Sequence, residues 1–434
     1  MAEELREQAG AGAAAASMEL SDFDKLINEE FKPKSEEADR AVKGAVRTLV
    51  TQALESANIV SGNAVKTIEG IISELDAKLS AQVNEIIHNK DFESLESAWR
   101  GLSYLVSNTE TSESLKIRVL NISKKDLQKT IKKFKGSSWD QSPLFKQIYE
   151  DEYGTAGGEP LGCIVGDYYF NQSAPDIELL KGISQISAAA HAPFIAAADP
   201  SMMNLDSWQD LANPRDLTKI FSTPEYAAWR SFRESDDSRY VALTLPRVLS
   251  RSPYGPETNP VETFSFTEDT GNGDSAKYSW MNAAYAMGVN INRSFADYGW
   301  CAHIRGVESG GVVESLPTHC FPTTDGGMAM KCPTEIAITD RREAELSKNG
   351  FLPLCYWKNT DYAVFLGGQT VNKPQEYDNP DATANASLSA RLPYIFATSR
   401  FAHYLKCIVR DKIGSFKSCA DMESWLSNWI SNYV

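Results

Sequence analysis

The hydrophobic period of the chain changes near residue 115, and this change constrains the fold more than any motif does. Before it, apolar residues step by three and four. Val65, Ile68, Ile72, Leu75, Leu79, Val83 and Ile86 form one helical seam over about residues 64–87. Phe92, Leu95, Trp99, Leu102 and Val106 form a second over about 92–106, and an earlier helix over about 36–57 carries Val42, Val46, Leu49, Val50, Ala53 and Leu54 on one face. From residue 115 the pattern turns to alternation, with Leu115, Ile117 and Val119 reading as a strand over 115–122. Strands are expected over 161–169, 193–198, 239–245 and 335–338, and helices over 126–134, 176–190, 279–295 and 340–348. Such an order predicts an α/β body around a mixed β-sheet, preceded by an N-terminal α-helical region. The polar, proline-containing stretch 371–380 reads as a linker, with helices expected over 388–413 and 421–429, the last carrying Trp425 and Trp429. The expected divisions are 1–60, 61–370 and 371–434.

Charge and cysteine usage narrow the function. The 434 residues include 58 acidic and 43 basic side chains, a net charge of −15, which disfavours non-specific binding to nucleic acid or an anionic membrane. No apolar run reaches the ~18–20 residues of a spanning helix, and the acidic N-terminus lacks a signal-peptide pattern, so a cytoplasmic protein without membrane insertion is expected. The seven cysteines form no CxxC pair, as reduced thiols would not. Cys301, His303, His319, Cys320 and Cys332 match no zinc-ligand spacing. Cys301 and His303, two apart on a strand, would share a face, so a cysteine-dependent enzyme is the alternative reading. No phosphate-binding or dinucleotide-binding loop is present, and neither cofactor nor metal is expected. What remains is a structural or interaction protein.

A short amphipathic segment near the N-terminus needs a partner. Ser21 with Asp24 has capping-box spacing, Phe23, Leu26, Ile27 and Phe31 share a helical face, and Pro33 ends the helix. About ten residues make a marginal helix alone. The stripe packs either on the chain's own body or in the groove of another protein, and the pattern leaves both open.

Long blocks of the chain resemble the large sheath subunit of the type VI secretion system, the TssC/VipB family. They are DFESLESAWRGLSYL (91–105), IELLKGISQISAAAHAPFIAAA (177–198), DSRYVALTLPRVL (237–249) continuing to Pro253-Tyr254-Gly255, YGWCAHIR (298–305), KCPTEIAITDRREAE (331–345) and RFAHYLKCIVRDKIGSF (400–416). The resemblance implies a phage tail-sheath-like fold in a contractile sheath. It implies pairing with a smaller TssB/VipA-like subunit, polymerisation with further copies of the chain around an Hcp inner tube on a baseplate, and disassembly by a ClpV-type AAA+ unfoldase. Within it, Phe23, Asp24, Lys25, Leu26 and Ile27 match the helix that the unfoldase recognises. The seam residues Val42, Val46, Leu49, Ile68, Ile72, Leu75 and Leu79 are the expected packing surface for the smaller subunit. The charged helix over 340–348 is a candidate for the inner-tube contact through Arg341, Arg342, Glu343 and Glu345. The family also implies a β-rich C-terminal portion that shares strands between neighbours, so 371–434 reads as an incomplete C-terminal sheath domain.

Overall fold

The computed structural model describes residues 64–213, 216–415 and 418–433, together with seven isolated positions between 36 and 48, all of them helical; of residues 64–69 and 71 it describes the backbone alone. The chain forms two compact units, one of residues 1–89 with 254–269 and the other of 90–253 with 270–434.

In the first unit, α1 (Ala64–Ile87) follows the seam read from the sequence. Its polar side is tied to the excursion at 254–269. Asn84 donates from Nδ2 to the Thr267 carbonyl at 3.3 Å and accepts the Asp269 amide at 3.0 Å. The excursion is closed by the Glu268 amide on the Tyr254 carbonyl (2.9 Å) and the Tyr254 amide on the Glu268 carboxylate (2.8 Å).

The second unit begins with α2 (Lys90–Ser107) and α3 (Lys124–Lys133), the latter capped by Ser123, whose Oγ accepts the Asp126 amide at 3.1 Å. Then follow β1 (Ile164–Phe170), α4 (Ala174–Ala190), β2 (Phe194–Ala198), α5 (Leu217–Ser222), α6 (Ala227–Arg233), β3 (Val241–Leu245), β4 (Val248–Leu249), β5 (Trp280–Met281) and α7 (Ala283–Tyr298). After these come β6 (Val312–Val313), β7 (Cys320–Pro322), β8 (Met328–Met330), α8 (Asp340–Lys348), β9 (Leu352–Tyr356) and β10 (Ala363–Phe365). Three helices end the unit: α9 (Pro380–Ser389), α10 (Leu392–Lys412) and α11 (Cys419–Ile430).

Six strands make the central sheet, in the order β1-β2-β3-β9-β10-β6. The first three pairings are parallel and the last two antiparallel, so the sheet is mixed. Every residue of β2 and β3 is buried, and their side chains divide by strand parity. Phe194, Ala196, Ala198, Leu243 and Leu245 join one core with Leu180, Ile183, Trp208 and Trp229. Ile195 and Ala242 face the other way, into a second core with Met287, Ile291, Leu352 and Phe365. The sheet therefore lies between two apolar layers, one led by α4 and the other by α7.

Small residues let α7 enter so deeply. Residues 283–291 are all buried. Gly101 of α2 sits against this helix, and a Cβ there would lie 2.3 Å from the Tyr285 ring, so only glycine allows the two helices to cross this closely.

Four expectations differ from the structure. The stretch 115–122 has no ladder partner among the described residues. In place of a strand at 335–338 there is only an isolated bridge at Thr334, whose Oγ1 donates to the Ile336 carbonyl at 2.9 Å and competes with a ladder. The helix expected from 279 begins at Ala283, because Asn282 caps it by accepting the Ala284 amide at 2.8 Å. The polar stretch from 371 is anchored where it begins: Val371 and Asn372 are buried, and Asn372 donates to the Ser235 carbonyl and the Ser238 hydroxyl, both at 2.9 Å.

A buried ion pair fastens α2 to the segment after β4. Arg251 donates from Nε to Glu96 at 2.7 Å, and the two side chains are only 6% and 9% exposed. Arg100 adds a second bond to Glu96 at 2.6 Å. Burial alone would raise the Glu96 carboxyl, but the two guanidinium groups outweigh it and hold it below the usual range. Glu96→Ala removes the carboxylate from this buried pair, which costs about 3–5 kcal/mol. Urea unfolding should show a loss of this size, whereas Lys129→Ala, at an exposed pair, should change stability by less than about 0.5 kcal/mol.

Candidate assembly surfaces

The residues singled out in the sequence fall into separate places. On α1, Ile72 is 52% exposed and Leu75 and Leu79 are half-buried, so this face is open to a partner. Ile68 lies on the same helix, but its side chain is outside the description. Val42, Val46 and Leu49, and the whole segment Phe23, Asp24, Lys25, Leu26 and Ile27, lie outside the described residues. On α2, Phe92, Leu95, Trp99 and Val106 are exposed by 39%, 56%, 66% and 48%. Their spacing puts them on one face. Large apolar side chains grouped in this way mark an interaction surface more than a solvated one.

Three of the six charged side chains of α8, Arg342, Glu343 and Glu345, are half-buried. Arg342 bonds Glu345 at 2.6 Å and the Asn213 carbonyl at 2.8 Å. Glu345 also accepts the Leu217 amide at 2.7 Å, and Glu343 accepts the Ser347 hydroxyl at 2.8 Å. Of the four candidates, only Arg341 is exposed, the other three being half-buried.

Cys301 and His303 do not form a nucleophile and base. They lie in an irregular loop after α7, not on a strand, and no hydrogen bond joins them. His303 stacks on Tyr298 with ring centroids 4.3 Å apart. Burial pushes the Cys301 thiol up to about 11, so it stays protonated at neutral pH. The described residues hold no cluster of three or more metal-ligating side chains and no helix long and apolar enough to cross a membrane. A groove of about 450 Å³ opens between α3, α4 and α6, walled by Phe134, Trp139, Ile177 and Phe232. Of its charged lining residues, Lys135, Glu178 and Lys181, the first two form an ion pair with each other.

A seat for α10 escaped the sequence reading. Lys406 lies 3.7 Å from the centre of the Tyr153 ring and donates to the Tyr153 carbonyl at 2.6 Å. His403 packs on the same ring at 5.7 Å, as does His191, which shares a hydrogen bond of 3.0 Å with the Tyr240 hydroxyl. Arg400, one turn before, sits over Phe295 and Trp300 at 4.9 and 5.4 Å. The i, i+3 spacing of Arg400, His403 and Lys406 was the available signal, since it puts three cationic or titratable groups on one helix face.

Burial lowers the affinity of His191 for a proton, and the Lys406 ammonium adds to this. His403 is lowered by burial first, then by Lys406, Arg400, Arg410 and His191. A histidine depressed in the folded state binds fewer protons than in the unfolded chain, so its contribution to stability is present above about pH 6.5 and is lost as pH falls below it. Thermal unfolding at pH 7.5 and 5.5 should show a smaller acid loss for the His191→Gln/His403→Gln variant than for the native sequence.

Known proteins place these surfaces in context. A family model described as "EvpB/VC_A0108, tail sheath N-terminal domain" matches residues 69–372, and one described as "EvpB/VC_A0108, tail sheath gpW/gp25-like domain" matches 381–434. The chain is similar to the type VI secretion system sheath protein TssC1 of Pseudomonas aeruginosa strain PAO1, with 67% identity over 416 residues, covering 96% of this chain and 84% of that protein. A mixed α/β body with exposed apolar helix faces and matches to both tail-sheath domains leaves one assignment: the chain belongs to the TssC/VipB family of type VI secretion sheath proteins.

Proposed function

We propose that this chain is the large, non-catalytic subunit of a contractile sheath, paired with a smaller TssB/VipA-like subunit and polymerised with copies of itself around an Hcp inner tube. The observation that carries the reading is the open apolar face of α2, where Leu95 and Trp99 are more than half exposed on a unit whose sheet is covered on both faces. Burial of such a face contributes about 25 cal/mol per Å² of apolar surface, enough to make a pair of chains obligate when the stripe is long. The α1 face with Ile72, Leu75 and Leu79, together with the seam residues Val42, Val46, Leu49 and Ile68, is a packing surface of its own for the smaller subunit. The polymer stands on a baseplate in the bacterial cytoplasm, and its contraction drives the tube and its effectors into a target cell. The work comes from rearranged contacts, so neither a cofactor nor a bond-making pocket takes part; the protonated Cys301 thiol supports this reading over a cysteine-dependent enzyme.

Two finer assignments follow. The segment Phe23-Asp24-Lys25-Leu26-Ile27 is the handle by which a ClpV-type AAA+ unfoldase recovers the contracted sheath. Because intrachain partners hold Arg342, Glu343 and Glu345, Arg341 is the α8 residue placed to meet the inner tube. Residues 371–434 form a C-terminal helical region distinct in role from the body that precedes it.

Co-expression of the chain with its smaller companion should give hollow tubules in negative-stain micrographs. A dispersed, soluble pair under every condition would refute the sheath reading. The Phe23→Ser/Leu26→Ser variant should still form tubules but lose unfoldase binding at least tenfold; unchanged binding would remove the handle assignment.

A further inference from the structure

The stretch 124–135, which is α3 and the two residues after it, holds six lysines and one acid, in a chain of net charge −15. Leu127 and Ile131 are buried, and Lys125, Lys129, Lys132 and Lys133 share the opposite, exposed face. Asp126 bonds Lys129 at 2.9 Å, but no carboxylate among the described residues pairs with Lys132 or Lys133. The end of α3 also walls the groove of about 450 Å³, through Ile131 and Phe134. Lys133 borders that groove, with its Nζ 5.5 Å from the centre of the Phe134 ring, and the exposed Lys181 lines it from α4. The result is an apolar slot with a basic shoulder.

The reverse combination occurs before α9. Tyr377 is 49% exposed and lies between the exposed Glu376 and Asp378, with Asp381 four residues on, also exposed. The segment 376–381 contains three acids and no base. Its backbone is held in place. The Thr383 hydroxyl accepts the Tyr377 amide at 2.9 Å and donates to the Tyr377 carbonyl at 3.0 Å. The Asn379 side chain accepts the Asp381 amide at 2.9 Å and caps α9. A backbone fixed in advance lowers the entropy lost when the ring is bound. Tyr377 does not line the groove of its own chain.

Copies of so acidic a chain repel one another, and a polymer of them needs places where unlike charges meet. We propose that Tyr377 of one copy seats in the groove between α3, α4 and α6 of the next, with Glu376, Asp378 and Asp381 against Lys132, Lys133 and Lys181. The proposal rests on the reading of this chain as a polymerising sheath subunit, and it names one contact between copies. Ring and groove are different surfaces, so the contact is head-to-tail: each copy gives its ring to one neighbour and its groove to another, and the contact repeats instead of closing. Other exposed aromatic residues lack the acidic flanks. Trp99 and Trp357 are followed by Arg100 and Lys358, which the lysine shoulder repels, and Tyr394 follows Arg391 with no acid beside it in the sequence. One seated aromatic ring buries ~150–250 Å², far below the ~1,200–2,000 Å² of a stable specific interface. The contact is therefore weak singly and acts by repetition, in an assembly already held by other surfaces.

Charge exchange in the co-expressed pair of chains tests this. Tyr377→Ala, Glu376→Lys/Asp378→Lys and Lys132→Glu/Lys133→Glu should each still co-elute with the smaller companion, and each should lower the yield of tubules in negative-stain micrographs tenfold or more. Tyr377→Phe, which keeps the ring, should stay within about threefold. Both charge reversals in one chain should bring the yield back to within about threefold of native, because the same pairs form with their signs exchanged. To identify the occupant, the photoreactive p-benzoylphenylalanine is placed at position 377 and irradiated in tubules that also contain isotope-labelled native copies. The cross-link should map to the groove of a labelled copy. A cross-link to the smaller companion, or within the same chain, overturns the proposal. So do charge-reversed variants that assemble like the native chain, and a combined variant that does not recover. Native tubules with unaffected variants remove this contact and leave the sheath reading standing, whereas a native pair that forms no tubules removes both.

Discussion

The sealing of β2 and β3 on both faces is the constraint from which the rest of the second unit follows. A strand with water on neither side must present apolar residues at every position, and each polar group it keeps needs an internal partner. The chain meets both demands. Phe194–Ala198 and Val241–Leu245 contain one polar side chain, Thr244, and its hydroxyl donates to the Ala196 carbonyl at 3.1 Å. Two apolar layers are then obligatory. The α4 layer is supplied by long side chains such as Leu180 and Ile183, and the α7 layer by a helix of small residues that lies close to the sheet.

Where one period held over three turns or more, the sequence was legible. The α1, α2 and α4 helices lie within a few residues of their expected ranges, and so do β1, β2 and β3, whose short apolar runs end at turn residues. The β9–β10 pair was missed because Pro353 interrupts the first run and discourages a strand reading. A signal was present: two apolar runs flank the polar Lys358-Asn359-Thr360-Asp361, and Asn359 takes the left-handed backbone that a tight hairpin needs, at φ 63°. The stretch 115–122 shows the opposite case. Its alternation was read as a strand, and the segment forms no ladder among the described residues, because alternation reports a strand's geometry and not the presence of its neighbour.

For the surfaces, the sequence shows charge and spacing but not where each side chain turns. The charged sequence Asp340–Lys348 reads as a solvent-facing patch, yet Arg342 and Glu345 close against each other and against neighbouring backbone. Formal charge says nothing of whether a guanidinium faces outward, because the side chain is long enough to fold back along its helix. The 3- and 4-residue spacing on α2 groups Phe92, Leu95, Trp99 and Val106, and the fold leaves all four exposed. The cation–aromatic seat of Lys406 joins residues 253 apart in the chain, a separation that no local pattern spans.

The crossing of α2 and α7 at Gly101 has a mechanical corollary. With Tyr285 filling the space that any side chain at 101 would need, the two helices pack at contact distance. A displacement of α2 therefore reaches the central strands through α7, which packs against both.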